Sequence, residues 1–343
     1  MRFYYILGIG LSLLLGSCST ARVAVNVQRP ANITIPHHIQ NVVIANRSLP
    51  AKENRGRNIL EGFLSGEGIG ADKQGSAFCV TGLSQMLSAN ERFTATHAAG
   101  LELYGTGTDK FPPLLNWKEV NSICETYNAD ALIVLETFDS DSRTFLGEAR
   151  TRYKKVDGVK VPYTEYPAFL SMEIESGWRI YDATNRRVID ENKFIEVKEF
   201  KKWGGNPEDA RRRLPSPHQA LREAGIFAGE QYGFRIAPIW ISVSRSYYIN
   251  KHDDFKTAKS AVKRGDWETA MELWKGLAAN ADSKIANQAC YNMALASEVS
   301  GNLSTAIEWA KKSRKRGNKK ANSYIRILQN RQLDQKKLAE QLH

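Results

Sequence analysis

Apolar positions follow several rhythms along this chain, and each predicts a different kind of element. Phe3 to Leu15 is a nearly unbroken apolar run, too short to span a bilayer comfortably. Asn41-Val42-Val43-Ile44-Ala45-Asn46 is a second, strand-length run. Over residues 76–90, Cys79, Leu83, Met86 and Leu87 fall at i, i+4, i+7 and i+8, the one-sided stripe of an amphipathic helix. A strand around Phe93–His97 is expected next. Asn116 with Glu119 three residues on has the form of a capping box. It opens a helix whose stripe is Val120, Ile123, Cys124 and Tyr127. Ala131-Leu132-Ile133-Val134-Leu135 is apolar throughout, as in strands buried on both faces of a parallel sheet. The order β-α-β-α-β predicts right-handed crossovers within one sheet.

From residue 143 to 200 the rhythm shortens. Phe169, Met172, Ile174, Trp178, Ile180 and Val188 lie in strand-like stretches separated by Ser176-Gly177 and Asp182-Ala183-Thr184-Asn185, which predicts an antiparallel meander added to the sheet. Ser216-Pro217 is a helix start, a capping residue followed by proline in the first turn. The helix runs to about Arg235 and carries Gly225, Gly229 and Gly233. Each glycine weakens a helix by roughly 1 kcal/mol relative to alanine. Three on one ridge therefore predict close backbone packing, most simply against the sheet, with a partner helix as the alternative. Residues 48–75 are polar and glycine-rich without a period, which reads as a long functional or mobile loop.

Two C-terminal stretches align at a period of 36. Ala258, Gly265, Asp266, Thr269, Ala270 and Glu272 match Ala294, Gly301, Asn302, Thr305, Ala306 and Glu308. Small residues let paired helices approach, and Gly-Asp or Gly-Asn marks the turn between them. The pattern resembles the tetratricopeptide repeat, whose usual period is about 34. Two repeats and a closing helix over Asn322–Leu342 would make a short array leaning on the preceding domain. The resemblance implies a concave partner-binding groove faced by Lys259, Lys263, Tyr291, Asn292 and Leu295. The expected fold class is thus an α/β domain, a βαβαβ core with added antiparallel strands, followed by an all-α tetratricopeptide-like helical domain. The boundaries are 1–17 for a signal peptide, 18–40 for an extended leader, 41–249 for the α/β domain and 250–343 for the repeats.

Charge sharpens this division. The 343 residues carry a net +11, and residues 251–343 hold 18 Lys and Arg against 10 Asp and Glu. That asymmetry points the C-terminal part toward something acidic: lipid phosphate, cell-wall carboxylate or an acidic protein. Lys311-Lys312-Ser313-Arg314-Lys315-Arg316 is the sharpest basic run, although cations at a helix C-terminus also suit its dipole. Cys79, Cys124 and Cys290 have no metal-ligand spacing. Reduced core cysteine is expected, with a Cys79–Cys124 disulfide as the alternative.

Candidate chemistry is confined to one edge. Sites in open parallel sheets form outside the carboxyl ends of the strands. Glu67 and Asp72 follow the first strand, Asp139 and Asp141 follow the second, and Glu136 lies within it. Five converging carboxylates would suit a divalent cation. That rival reading is a cation-binding or catalytic α/β domain. No GxSxG, HExxH, Rossmann or P-loop pattern occurs. No cofactor is implied, and a non-enzymatic role is expected.

The N-terminal apolar run ends in Leu15-Gly16-Ser17-Cys18, which resembles the bacterial lipoprotein signal. The resemblance implies that Cys18 is acylated and becomes the mature N-terminus. No Asp follows Cys18, and no acidic run either, so the periplasmic face of an outer membrane is the implied address. Three stretches further resemble an uncharacterised family of Bacteroidota lipoproteins: Gln28-Arg29-Pro30-Ala31 leading to Asn41–Ser48, Glu61-Gly62-Phe63-Leu64-Ser65-Gly66-Glu67, and Tyr232-Gly233-Phe234-Arg235-Ile236-Ala237-Pro238-Ile239-Trp240. More loosely, residues 41–200 are similar in element order to the TolB N-terminal and CsgG-like α/β domains. Together these imply a membrane-anchored interaction or assembly module. Its partners would be an envelope protein or peptide, acidic ones included, and the bilayer through an acyl anchor, but no nucleic acid.

Overall fold

The computed structural model describes residues 20–50, 70–107, 110–250 and 252–342. The signal run, Cys18, Glu67 and most of the glycine loop lie outside them. The chain divides into two compact units interleaved in sequence: residues 30–239 with 338–343, and residues 240–337 with the N-terminal segment ending at Arg29. The helical unit therefore begins earlier than residue 250. It also claims a strand from what the sequence suggested was a leader.

In the α/β unit, β2 (Asn41–Asn46) lies between β3 (Thr94–His97) and β4 (Ala131–Leu146), parallel to both. Antiparallel strands β6 (Val159–Asp182) and β7 (Arg187–Gly204) extend the sheet beyond β4, and β5 (Arg150–Val156) pairs with the first part of β6. The β5–β6 hairpin turns on Asp157 and Gly158, both at positive φ as a two-residue turn requires. Helices α1 (Ala71–Ser88) and α4 (Pro217–Ile236) cover one face of the sheet, burying Cys79, Leu83, Ile44, Ile133, Trp178 and Tyr232 together. Helix α2 (Trp117–Thr126) covers the other with Val120, Ile123 and Cys124. Short α3 (Pro207–Arg212) precedes α4. The predicted caps are present: Asn116 accepts the Glu119 N–H at 2.9 Å and Ser216 Oγ that of Gln219 at 3.3 Å.

The glycine ridge of α4 meets a helix, not the sheet. A Cβ on Gly229 would stand 1.9 Å from the Cys79 carbonyl oxygen, and one on Gly82 of α1 would stand 2.0 Å from that of Ile226. The two backbones touch, which explains why the ridge carries no side chains. Cys79 and Cys124 lie on opposite faces of the sheet, and both are buried free thiols, as is Cys290. Burial raises the thiol pKa of each, that of Cys124 to about 12.

The β6–β7 turn is pinned by Asp182. This fully buried carboxylate accepts the Asn185 N–H at 3.1 Å and its side-chain amide at 2.9 Å, with His38 at 3.1 Å and Arg187 at 3.3 Å. Burial opposes the charged form, but the Asn185 and His38 hydrogen bonds outweigh it and hold the pKa near 2. A depressed carboxyl pKa contributes stability above its unfolded value of about 3.9 and loses it as pH falls toward the folded value. Wild type is expected to melt above Asp182→Asn at pH 5, with the gap closing between about pH 4 and 2. An unchanged gap across that window would disprove the assignment.

The helical unit contains α5 (Asp253–Lys263), α6 (Trp267–Leu277), α7 (Ser283–Val299), α8 (Leu303–Lys315) and most of α9 (Ala321–Leu342). The period of 36 has a local cause. Gly265, Gly301 and Gly317 each take positive φ after a helix. The next residues, Asp266, Asn302 and Asn318, donate their N–H back to Ala261, Ser297 and Ser313, the 6→1 bond of a Schellman ending. Asp266 and Asn302 then cap the following helix through Thr269 and Thr305. A two-stranded ribbon completes the unit: β1 (Thr20–Arg29) paired with β8 (Ile239–Tyr248).

Candidate functional site

At the carboxyl edge, where the sequence placed five acids, the described residues are engaged with one another. One extra residue, Glu136, interrupts the β4–β6 ladder between Leu135 and Thr137. Such a bulge re-aims side chains and reverses the alternation beyond it. Glu136 is fully buried. It takes the Tyr181 hydroxyl at 2.7 Å, Arg47 at 3.1 Å and Arg179 at 3.4 Å. Both arginines also tie down the loop after β3. Arg47 donates to the Tyr104 and Pro113 carbonyls, and Arg179 to that of Pro112 while stacking on Phe111. Burial, then the neighbouring Glu136 charge, pushes the Tyr181 phenol up to about 12, so it remains a donor. Arg179 also pairs with Glu191 at 2.6 Å, so among the described residues the two carboxylates and two guanidiniums between β2, β4 and β6 match in charge.

The other acids are drawn apart. Past the bulge Ser140 faces the α1 side and donates its hydroxyl to the Asp72 carboxylate at 3.0 Å, while Asp139 and Asp141 lie on the opposite face across from Glu175 and Glu173. Burial, with lesser effects of Asp139 and Asp141, raises Asp72 to about 6. Among the described residues no group of three or more His, Cys, Asp or Glu could hold a metal ion. The expected convergence of Asp72, Asp139, Asp141 and Glu136 on one edge is thus corrected, and Glu67 falls outside the described residues.

The second expected site, the repeat groove, is occupied from within its own unit. Buried Asn292 pairs with the backbone of Tyr248 in both directions, accepting its N–H at 2.7 Å and donating to its carbonyl at 2.8 Å. Tyr291 is packed between Tyr248 and Tyr324, and Leu295 is fully buried. Farther along β8, Arg245 grips Glu298 at 3.0–3.2 Å; Tyr324 and Arg331 each reach the same carboxylate at 2.7 Å. Val23, Val25 and Val27 of β1 and Ile241 and Val243 of β8 join the helices' apolar cluster. Strand β8 is therefore the occupant of the groove on α7. Tyr291 and Asn292 are not surface contacts; Lys259 is half-buried and Lys263 exposed. The alternation of Val23, Val25 and Val27 was the available signal for β1.

Among the described residues no helix is long and apolar enough to cross a membrane. A family model described as a domain of unknown function (DUF8603) matches residues 39–248, and another described in the same way (DUF6340) matches residues 256–335. No curated protein matches the chain. Among solved structures it is similar to a homolog of the neuraminyllactose-binding hemagglutinin from Helicobacter pylori, at 10% identity and a TM-score of 0.22, covering 58% of this chain and 81% of that one. It is also similar to lipoprotein GNA1162 from Neisseria meningitidis, at 12% identity and a TM-score of 0.16, covering 49% and 85%. At those scores neither likeness carries an argument.

Proposed function

We propose that this chain, which belongs to the DUF8603 family through residues 39–248, is a lipid-anchored, non-enzymatic interaction module of the cell envelope. The observation that carries the reading is Leu15-Gly16-Ser17-Cys18 directly after the apolar run. Cys18 would bear the acyl chains. The periplasmic side of an outer membrane is the proposed address, and the Bacteroidota lipoprotein family and the TolB- or CsgG-like class are the proposed kinships. The engagement of Glu136 supports a binding or assembly role over catalysis, since Glu136 and both arginines hold each other and a loop. The repeated Gly-Asp and Gly-Asn turns support tetratricopeptide-like pairs. With strand β8 seated on α7, an envelope partner would engage exposed faces of the helical unit and not the groove.

Metabolic labelling with an alkyne fatty acid tests the anchor. The unaltered chain is expected to take up label and to partition into detergent, and Cys18→Ser to do neither. Label retained by Cys18→Ser, or absent from the unaltered chain, would exclude acylation at this residue.

A further inference from the structure

Between Lys311 and Lys320 the chain carries seven cations, all exposed, at the junction of α8 and α9. None of them forms an ion pair among the described residues. Three acids of the same unit are engaged elsewhere: Glu298 with Arg245 and Arg331, Asp253 with Lys256, and Asp266 as a helix cap. Helix-dipole matching accounts for Lys312, Arg314 and Lys315 in the last turn of α8. It does not account for Lys319 and Lys320, which stand immediately before α9 at the end where a helix repels cations. Two lysines at the wrong end of a helix, beside five more of the same sign, mark a surface shaped for an external anion.

The surface adjoins the ribbon of β1 and β8. The Tyr248 hydroxyl, at the end of β8, donates to Asn318 at 3.1 Å, and Lys320 sits over its ring at 5.5 Å.

We infer that the basic junction of α8 and α9 rests on the anionic phospholipid headgroups of the bilayer that receives the anchor. The inference rests on the acylation reading, and the two fail separately. One lipid signal and one polybasic patch are complementary membrane determinants, with the basic contribution falling off within a Debye length.

The full-length Cys18→Ser chain, lacking the anchor, is sedimented with phosphatidylcholine vesicles and with vesicles containing phosphatidylglycerol. Lys311, Arg314, Lys315 and Lys319 are then changed together to alanine; these exposed side chains make no contact that the fold depends on, and a melting curve checks that. The expected result is preference for the anionic vesicles, at least about tenfold weaker in the fourfold variant and steeply lowered by salt. Equal binding to both vesicle types, or an undiminished fourfold variant, would overturn the inference even if Cys18 is acylated. Competition by millimolar inorganic phosphate at constant ionic strength would also overturn it, indicating a discrete anion site. Preference for anionic vesicles without any label on Cys18 would leave the surface standing and the anchor refuted.

Discussion

Gly229→Ala is expected to destabilise the α/β unit by about 3 kcal/mol or more, at or beyond the upper end of ordinary overpacking costs. The new methyl carbon would be placed 1.9 Å from the Cys79 carbonyl oxygen and 2.7 Å from the Leu83 nitrogen. Both are backbone atoms of α1, and no rotamer change relieves such a clash. Relief requires moving the helices apart, and that opens the buried layer holding Cys79, Leu83 and Tyr232. Gly276→Ala is the matching control. It lies in α6 with nothing within 4 Å of the added carbon, so helix propensity dominates and a gain of up to about 1 kcal/mol is expected. Urea unfolding curves of the two variants decide the matter. A Gly229→Ala midpoint equal to wild type would show that α1 and α4 do not touch through their backbones.

Glu136→Ala should cost about 3 kcal/mol, because truncating one member of a buried charge network leaves its partners without a counter-charge. Half-buried Arg47 would lose its carboxylate, buried Arg179 would keep only Glu191 at 2.6 Å, and the Tyr181 hydroxyl would lose its acceptor. Glu136→Gln keeps an acceptor oxygen and removes the charge, so a smaller loss is expected. The damage should be local first: Arg47 and Arg179 hold the Tyr104, Pro112 and Pro113 carbonyls, and hydrogen exchange around residues 103–116 should accelerate. Wild-type stability and exchange in Glu136→Ala would show that the network does not fasten that loop.

Much of the framework was legible in the sequence because it depends on local physics. The continuous run of Ala131–Leu135, the capping pair Asn116 and Glu119, and the start at Ser216-Pro217 each specify an element through neighbours a few residues away. So do the Gly-Asp and Gly-Asn turns, whose 6→1 bonds set the 36-residue period. The edge was misjudged because of one residue. Without the bulge at Glu136, simple alternation would carry Asp139 and Asp141 to the face of Leu135, toward α1 and Asp72. With it, Ser140 takes that place. A bulge leaves no mark in hydrophobic periodicity, so the rival reading of convergent acids stayed open. The groove was misjudged for a different reason. Its occupant, β8, pairs with β1 more than 200 residues away, and periodicity does not report on pairing at that range.

That same pairing has a consequence for how the chain is made. The ribbon cannot close until β8 exists, so β1 must wait through most of synthesis or export before its valines are covered. Contacts this distant slow folding, since the loop-closure entropy is spent before the contacts repay it. The α/β unit has the reciprocal dependence: Gln341, near the end of the last helix, pairs with the Ala31 backbone through both its amide oxygen and its amide nitrogen. Each unit is thus finished by a segment from the other end of the chain. A protease cut near residue 250 would yield two incomplete pieces; truncation before Arg29 would strip the helical unit of β1, and truncation before Gln341 would strip the α/β unit of its clasp on Ala31.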